Sequence, residues 1–273
     1  MLVSVIVPAY KDIQALELIL YALKYQTYKN FEVVIAEDDD SHKVKEFLET
    51  YESNYNIKHF SQRDEGARKA TAVNNAIKIS MGEYIIFIDG DVIPYSSFIA
   101  SHVELSEDNA YLCGRRVNCD KVTSNEIRNG KLKIVEFENK LLSSLFCLIK
   151  NKSRHVEQGL CLKPNGIVHK ILSFFDNNIH ILGANFSLYK DKILAINGID
   201  EDLYGGWNDY DIEWRLNAIG LHAKSCKYTT GLLHLNHDRF GRKERNNQQK
   251  EYILKKQKIN EYFCKSGLTD KLK

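Results

Sequence analysis

The chemistry of this 273-residue chain gathers in a few short stretches. The most pointed is Asp89, Gly90, Asp91: two carboxylates one residue apart, directly after the apolar run at 84–88. Acids held within a few ångströms repel unless a cation neutralises them, and hard oxygen ligands suit Mg²⁺ or Mn²⁺ holding a phosphate. Gly90 would let the backbone approach a ligand closely or adopt a positive φ. The tripeptide also makes an ordinary turn, so alone it leaves both readings open. A second acidic group, Glu37 to Asp40, follows the apolar run at 31–36; a carboxylate there can accept from a uracil N3–H or a ribose diol. Between them, residues 63–76 (RDEGARKATAVNNA) offer Arg63, Arg68 and Lys69 to a diphosphate, or form a solvated helix face, with Gly66 opening the helix. Asp209 and Asp211 come at the start of another helix. One acid suffices as a cap, and transfer of a group to a hydroxyl needs a base, usually a carboxylate. His234 and His237, three residues apart, can face one point as neutral metal ligands, although most histidines ligate nothing.

Such residues work only if the elements carrying them converge. Residues 2–10 (LVSVIVPAY), 31–36 and 84–88 are apolar, β-branched runs of the kind buried on both faces of a parallel sheet. Apolar residues at helical spacing fill 13–25, 42–55 and 67–80, with a short strand at 57–60. The alternation predicts right-handed βαβ units and an α/β fold with a mostly parallel sheet covered by helices on both faces. Ligands bind outside the C-terminal ends of such strands, where both acidic groups would project.

Composition narrows the function. With 44% hydrophobic residues and a net charge of +2, the chain is globular and lacks the basic surface of a nucleic-acid binder. Cys113, Cys119, Cys147, Cys161, Cys226 and Cys264 show no paired spacing and read as reduced thiols. The apolar residues 1–9 follow no basic segment and are too few for a signal sequence or a membrane span, so a cytoplasmic protein is expected.

Taken together, VSVIVPAY, the acids after the second strand, GARKATAVNNA and FIDGD, in that order, resemble the family 2 glycosyltransferases of the GT-A fold. The resemblance implies a single GT-A (Rossmann-like) domain: a nucleotide-sugar-binding half at 1–117, an acceptor-binding and catalytic half at 118–245, and a C-terminal helix at 246–273. It places the nucleotide sugar among Pro8, Tyr10, Glu37, Asp39, Arg63, Gly66, Arg68 and Gly90. It makes Asp89-Gly90-Asp91 a DXD motif, with Asp91 the firmer ligand of Mn²⁺ or Mg²⁺ and Asp89 meeting the ribose or reaching the metal through water. GGWNDYDIEWRL (205–216) is similar to the family's GGxEDxD segment. That similarity implies Asp209 as the base of an inverting enzyme, Trp207 as a sugar platform and Asp211 as a loop stiffener, while Asn208 departs from the usual glutamate. LLHLNHDRFGRK (232–243) resembles a galactosyltransferase-type module in which His237 completes the metal site and His234 can be a second ligand. The implied function is inverting, metal-dependent transfer from a UDP-sugar to a hydroxyl of a glycan or lipid-linked oligosaccharide, in surface polysaccharide assembly.

Residues 118–180 say least. Their amphipathic stretches, 137–150 and 167–175, read first as helices covering the sheet, and otherwise as an acceptor-binding insertion or a patch resting on a membrane that carries a lipid-linked acceptor. The polar run at 239–250 suits a loop closing over the donor, and 252–263 an amphipathic helix. A retaining transferase, an inactive nucleotide-sugar-binding module and a metal-dependent phosphohydrolase are the alternatives. A nucleotidyltransferase fits poorly, because residues 8–12 hold no glycine for a triphosphate loop.

Overall fold

The computed structural model describes residues 1–204, 206–237 and 246–269, with the backbone alone at Gly206, Trp207 and Asn246. The first third alternates as expected: β1 (Val3–Ala9), α1 (Ile13–Lys24), β2 (Phe31–Glu37), α2 (Lys43–Thr50), β3 (Asn56–Ser61), α3 (Lys69–Ile79) and β4 (Tyr84–Ile88). Next come β5 (Val92–Pro94), α4 (Phe98–Leu105), β6 (Ala110–Cys113) and β7 (Val117–Asn118). A helical stretch follows with α5 (Lys121–Arg128), α6 (Ile134–Asn139), α7 (Leu141–Lys150) and α8 (Ile167–Phe174). The chain then runs through β8 (Asn185–Tyr189), α9 (Lys190–Ala195), α10 (Gly206–Ala218), β9 (His222–Ser225), β10 (Leu232–His234) and α11 (Asn246–Lys258).

Seven strands form the main sheet in the order β3-β2-β1-β4-β8-β6-β9, and β8 alone runs against the others. Side chains alternate between its two faces. Ile6, Val34, Ile85 and Phe87 pack on one face against Ala72, Val73, Ala76 and Ile77 of α3. Val5, Val33, Ile35 and Ile86 pack on the other against Leu16, Ile19, Leu20 and Leu23 of α1. The central strands β1, β2 and β4 are mostly apolar because both of their faces are covered. A second sheet, β5-β10-β7, lies over a third cluster that includes Ile93, Val117, Phe137, Leu145 and Leu233.

Several expected boundaries move. α3 begins at Lys69 rather than residue 67, because Gly66 stands in a turn at φ +92°. The C-terminal helix occupies Asn246–Lys258, not 252–263, so 246–250 is helical rather than loop. The larger correction concerns the helices expected to cover the sheet. α7 turns Leu145 and Leu148 inward but leaves Leu142, Phe146 and Ile149 exposed, and the one buried residue of α8 is His169. No helix among the described residues is long and apolar enough to cross a membrane.

Candidate active site

β1 leads outward to β2 and β3, and the chain then crosses back to pair β4 on the other side of β1. That is where strand order reverses, the position at which open α/β sheets bind ligands. Asp89, Gly90 and Asp91 follow β4 there, beside Pro8 and Tyr10 at the end of β1. Gly90 does not take a positive φ; a Cβ on it would lie 2.3 Å from the Pro8 carbonyl oxygen, so it is glycine to let the two strand ends close together.

The small sheet brings the histidines to this edge. β10 pairs antiparallel with β5, setting His234 opposite Val92, and the Leu235 amide donates to the Asp91 carbonyl at 2.9 Å. The Nε2 atoms of His234 and His237 lie 3.2 and 3.1 Å from the same Asp91 oxygen, Oδ2, and one ligand atom from each of the three residues falls within 4.8 Å of the others. Asp91 Oδ1 is buried with no hydrogen-bond partner among the described residues. Two imidazoles with a carboxylate and an orphaned buried oxygen form a mixed nitrogen and oxygen donor set that fits a divalent transition metal such as Mn²⁺ better than the all-oxygen preference of Mg²⁺.

Asp89 stands outside this trio. Lys69 Nζ donates to Oδ1 at 2.5 Å and Arg116 Nη1 to Oδ2 at 2.8 Å. Burial alone would raise the Asp89 pKa; the Lys69 charge and hydrogen bond, helped by Arg116, outweigh it and bring it down to about 2. Asp89 is therefore a fixed anion with both oxygens engaged. Lys69 also feels the charges of Asp209 and Asp91, so one ammonium is shared by three carboxylates.

Asp209 lies in the first turn of α10, and its Oδ2 accepts from the Gly183 amide at 3.0 Å. Gly183 is there because β8 is antiparallel: Ile88 pairs with Asn185, so the start of β8 meets the end of β4. A Cβ at Gly183 would lie 2.8 Å from Asp209 Oδ1. Burial pushes the Asp209 pKa up to about 6, against the pull of the Gly183 amide and Lys69. Asp211 points elsewhere. Fully buried, it accepts from Arg215 Nε at 2.6 Å, Lys256 Nζ at 2.8 Å and Trp214 Nε1 at 3.1 Å, which ties α10 to α11 rather than stiffening the loop. Asn208 donates to the Asp200 carbonyl at 3.3 Å.

The first acidic group divides. Glu37, expected at the nucleotide, is buried and bound to His59 Nε2 at 2.7 Å, and Asp38 accepts from Gln62 Nε2 and the Arg68 amide, both at 2.8 Å. Asp39 is buried with Oδ2 unpartnered among the described residues, and Asp40 is exposed. Arg68 folds back on Glu65 and the Arg63 carbonyl instead of reaching outward, whereas Arg63 and Tyr10 are exposed. The Trp207 side chain, expected as a sugar platform, and residues 239–245 of the run expected to close over the donor lie outside the described residues. Arg116, Gly183 and the full place of Lys69 escape the sequence reading; the only hint of Arg116 is the pair of arginines after the four-residue β6.

Residues 4–193 match the family model described as "Glycosyl transferase family 2". The chain is 29% identical over 241 residues to the chondroitin synthase of Escherichia coli, an alignment covering 82% of this chain and 33% of the relative. Among solved structures it resembles a mannosyltransferase of Pyrobaculum calidifontis in complex with GDP-Man and Mn²⁺, with TM-score 0.55 and 16% identity over 95% of this chain and 62% of that one. It also resembles residues 1–349 of TarS of S. aureus in complex with UDP-GlcNAc, with TM-score 0.54 and 17% identity over 89% of this chain and 60% of that one. At such identities these two likenesses speak for the fold. The chain spans between 16% and 61% of the length of the curated relatives it matches.

Proposed function

The chain belongs to glycosyl transferase family 2, and from that premise we propose that it moves a sugar from a UDP-activated donor to a glycan hydroxyl with inversion. The observation that carries this reading is the convergence, around Lys69, of Asp89, Asp91 with its two histidines, and Asp209. Asp91, His234 and His237 would hold a divalent cation, whose contribution when bound is to offset the charge developing on the departing diphosphate. Lys69 and Arg116 supply positive charge on the same side, fixed in advance by Asp89. Asp39, with its free oxygen, accepts from the nucleoside.

Asp209 takes the proton of the acceptor hydroxyl. A base with a pKa of about 6 is ionised at neutral pH yet more basic than an ordinary carboxylate. Its second oxygen is held by Gly183, so Oδ1 can meet the acceptor without reorienting. Attack from the face opposite the leaving diphosphate inverts the anomeric centre. Product stereochemistry by NMR decides between this and retention. Asn208, which stands where the family resemblance expects a glutamate, donates to the Asp200 carbonyl and brings no carboxylate to the acceptor. The relationship to a chondroitin synthase favours polysaccharide assembly as the setting.

The test is a panel of nucleotide sugars screened for thermal stabilisation and hydrolysis with and without Mn²⁺. A UDP-sugar is expected to stabilise the chain only with the metal, and Asp91→Asn to remove that dependence. Equal stabilisation of Asp91→Asn, or a response restricted to GDP-sugars, would refute the metal or the donor assignment respectively.

A further inference from the structure

α8 is folded inside out. Ile167, Val168, Ile171, Leu172, Phe174 and Phe175 recur at i, i+4 and i+7, the spacing of a single helix face, yet all are exposed, Ile167 by 80% and Phe174 by 81%. The residue turned inward is His169, whose Nδ1 meets the Asn165 amide. α7 repeats the pattern with Leu142, Phe146 and Ile149, again at i, i+4 and i+7 and again exposed. Isolated exposed apolar residues mean little, but complete stripes on two helices mark a surface that something covers.

Charge says what kind of surface covers it. Between positions 140 and 175 the chain carries Lys140, Lys150, Lys152, Arg154, Lys163 and Lys170 against the single acid Glu157, in a molecule whose net charge is only +2. All six cations are exposed, and none has an ion-pair partner among the described residues. A second copy fits badly, because a two-fold contact brings like residues together and would set these cations against themselves. An anionic bilayer surface satisfies both features at once, taking the apolar stripes at the acyl boundary and the lysines and arginine at the headgroups.

We propose that α7, α8 and the linker between them form a peripheral docking surface for anionic lipid. The linker also fixes where the lipid would lie. Arg154 pairs by backbone with Asn118 of β7, and Asn118 pairs with His234 of β10, so the basic linker is two strands from the metal-binding histidines. Asn118, Lys152, Arg154, His234 and His237 line one open cleft. A docked chain would therefore present this cleft to the lipid surface.

The experiment is flotation of the whole chain with phosphatidylcholine vesicles, with and without roughly a third phosphatidylglycerol. Binding to the anionic vesicles is expected, with retreat into solution at high salt. Replacing both aromatic residues (Phe174→Ser with Phe175→Ser) should lower the bound fraction at least about ten-fold, since each buried Phe contributes well over one decade of affinity. Reversing two charges, Lys163→Glu with Lys170→Glu, should weaken binding to anionic vesicles selectively. Exposed positions leave the fold intact, which far-UV circular dichroism and the melting temperature verify. Failure to float with anionic vesicles overturns the proposal. So does flotation that both variants leave unchanged, or a dimer in solution, seen by light scattering, that the Phe variant dissociates.

Discussion

As the proposed base, Asp209 would have to be ionised at neutral pH and still basic enough to take a proton, and burial offset by the Gly183 amide suits it to both. Its pKa of about 6 predicts that kcat/KM falls with decreasing pH below about 6, as a single protonation removes the base. Asp209→Asn keeps the acceptor for the Gly183 amide, so donor binding should persist while transfer drops by about 10²–10⁴-fold, read by isothermal calorimetry beside a coupled assay. Stability moves the other way. With the folded pKa raised above the usual value near 4, the native state binds more protons than the unfolded chain across that window, so stability is lost as pH rises through it. Asp209→Asn removes that loss, and its melting temperature at pH 8 should equal or exceed that of the parent. The two acids of the DXD motif also part company at this scale. Their spacing only suggests a shared site, and the partners reached by the fold separate them: Asp89 meets Lys69 and Arg116 while Asp91 meets the histidines.

At the scale of elements, what could be read from the sequence was whatever is long and buried. β1, β2 and β4 announce themselves as apolar runs because both their faces are covered, and α1 and α3 by their helical spacing. The second sheet could not be read. β5, β7 and β10 have three, two and three residues, too few for any period to show, although they place the histidines. The inside-out α8 misleads for a related reason: its spacing is that of a core helix, and spacing does not say which way the stripe faces. Two glycines carry predictions here. Gly183→Ala puts a methyl group 2.8 Å from Asp209 Oδ1 and, if Asp209 is the base as proposed, should lower kcat more than about ten-fold with little change in melting temperature, separable by steady-state kinetics and calorimetry. Gly90→Ala meets backbone, the Pro8 carbonyl, and should lower stability itself by about 1–3 kcal/mol in urea titration.

Over the whole molecule, the site and the folding core are supported separately. The clusters on both sheet faces contain none of Asp91, His234 and His237, so chelation should leave the melting temperature of the free chain nearly unchanged. It should abolish the stabilisation by UDP, which at a hundred-fold excess over Kd is worth about 2.7 kcal/mol. The far end of the chain is fastened by a buried ionic cluster in which Lys256 of α11 bridges Asp200 and Asp211. Lys256→Met would leave buried Asp200 without its cation and Asp211 with Arg215 alone as cation, and should cost about 3–5 kcal/mol in a denaturant titration, with α10 and Asp209 loosened together. The antiparallel insertion of β8 has one more consequence, for how this chain can change length. The ladder between β4 and β8 works as a ruler, with Ile88 against Asn185 setting the span from Asp89 and Asp91 to Asp209, the proposed base. A single inserted or deleted residue between 183 and 189 would slide Gly183 by about 3.4 Å and turn its neighbours to the opposite face. Divergence by insertion is thereby steered away from this strand and into the connections around it, where acceptors can be exchanged while the span between base and leaving group stays the same.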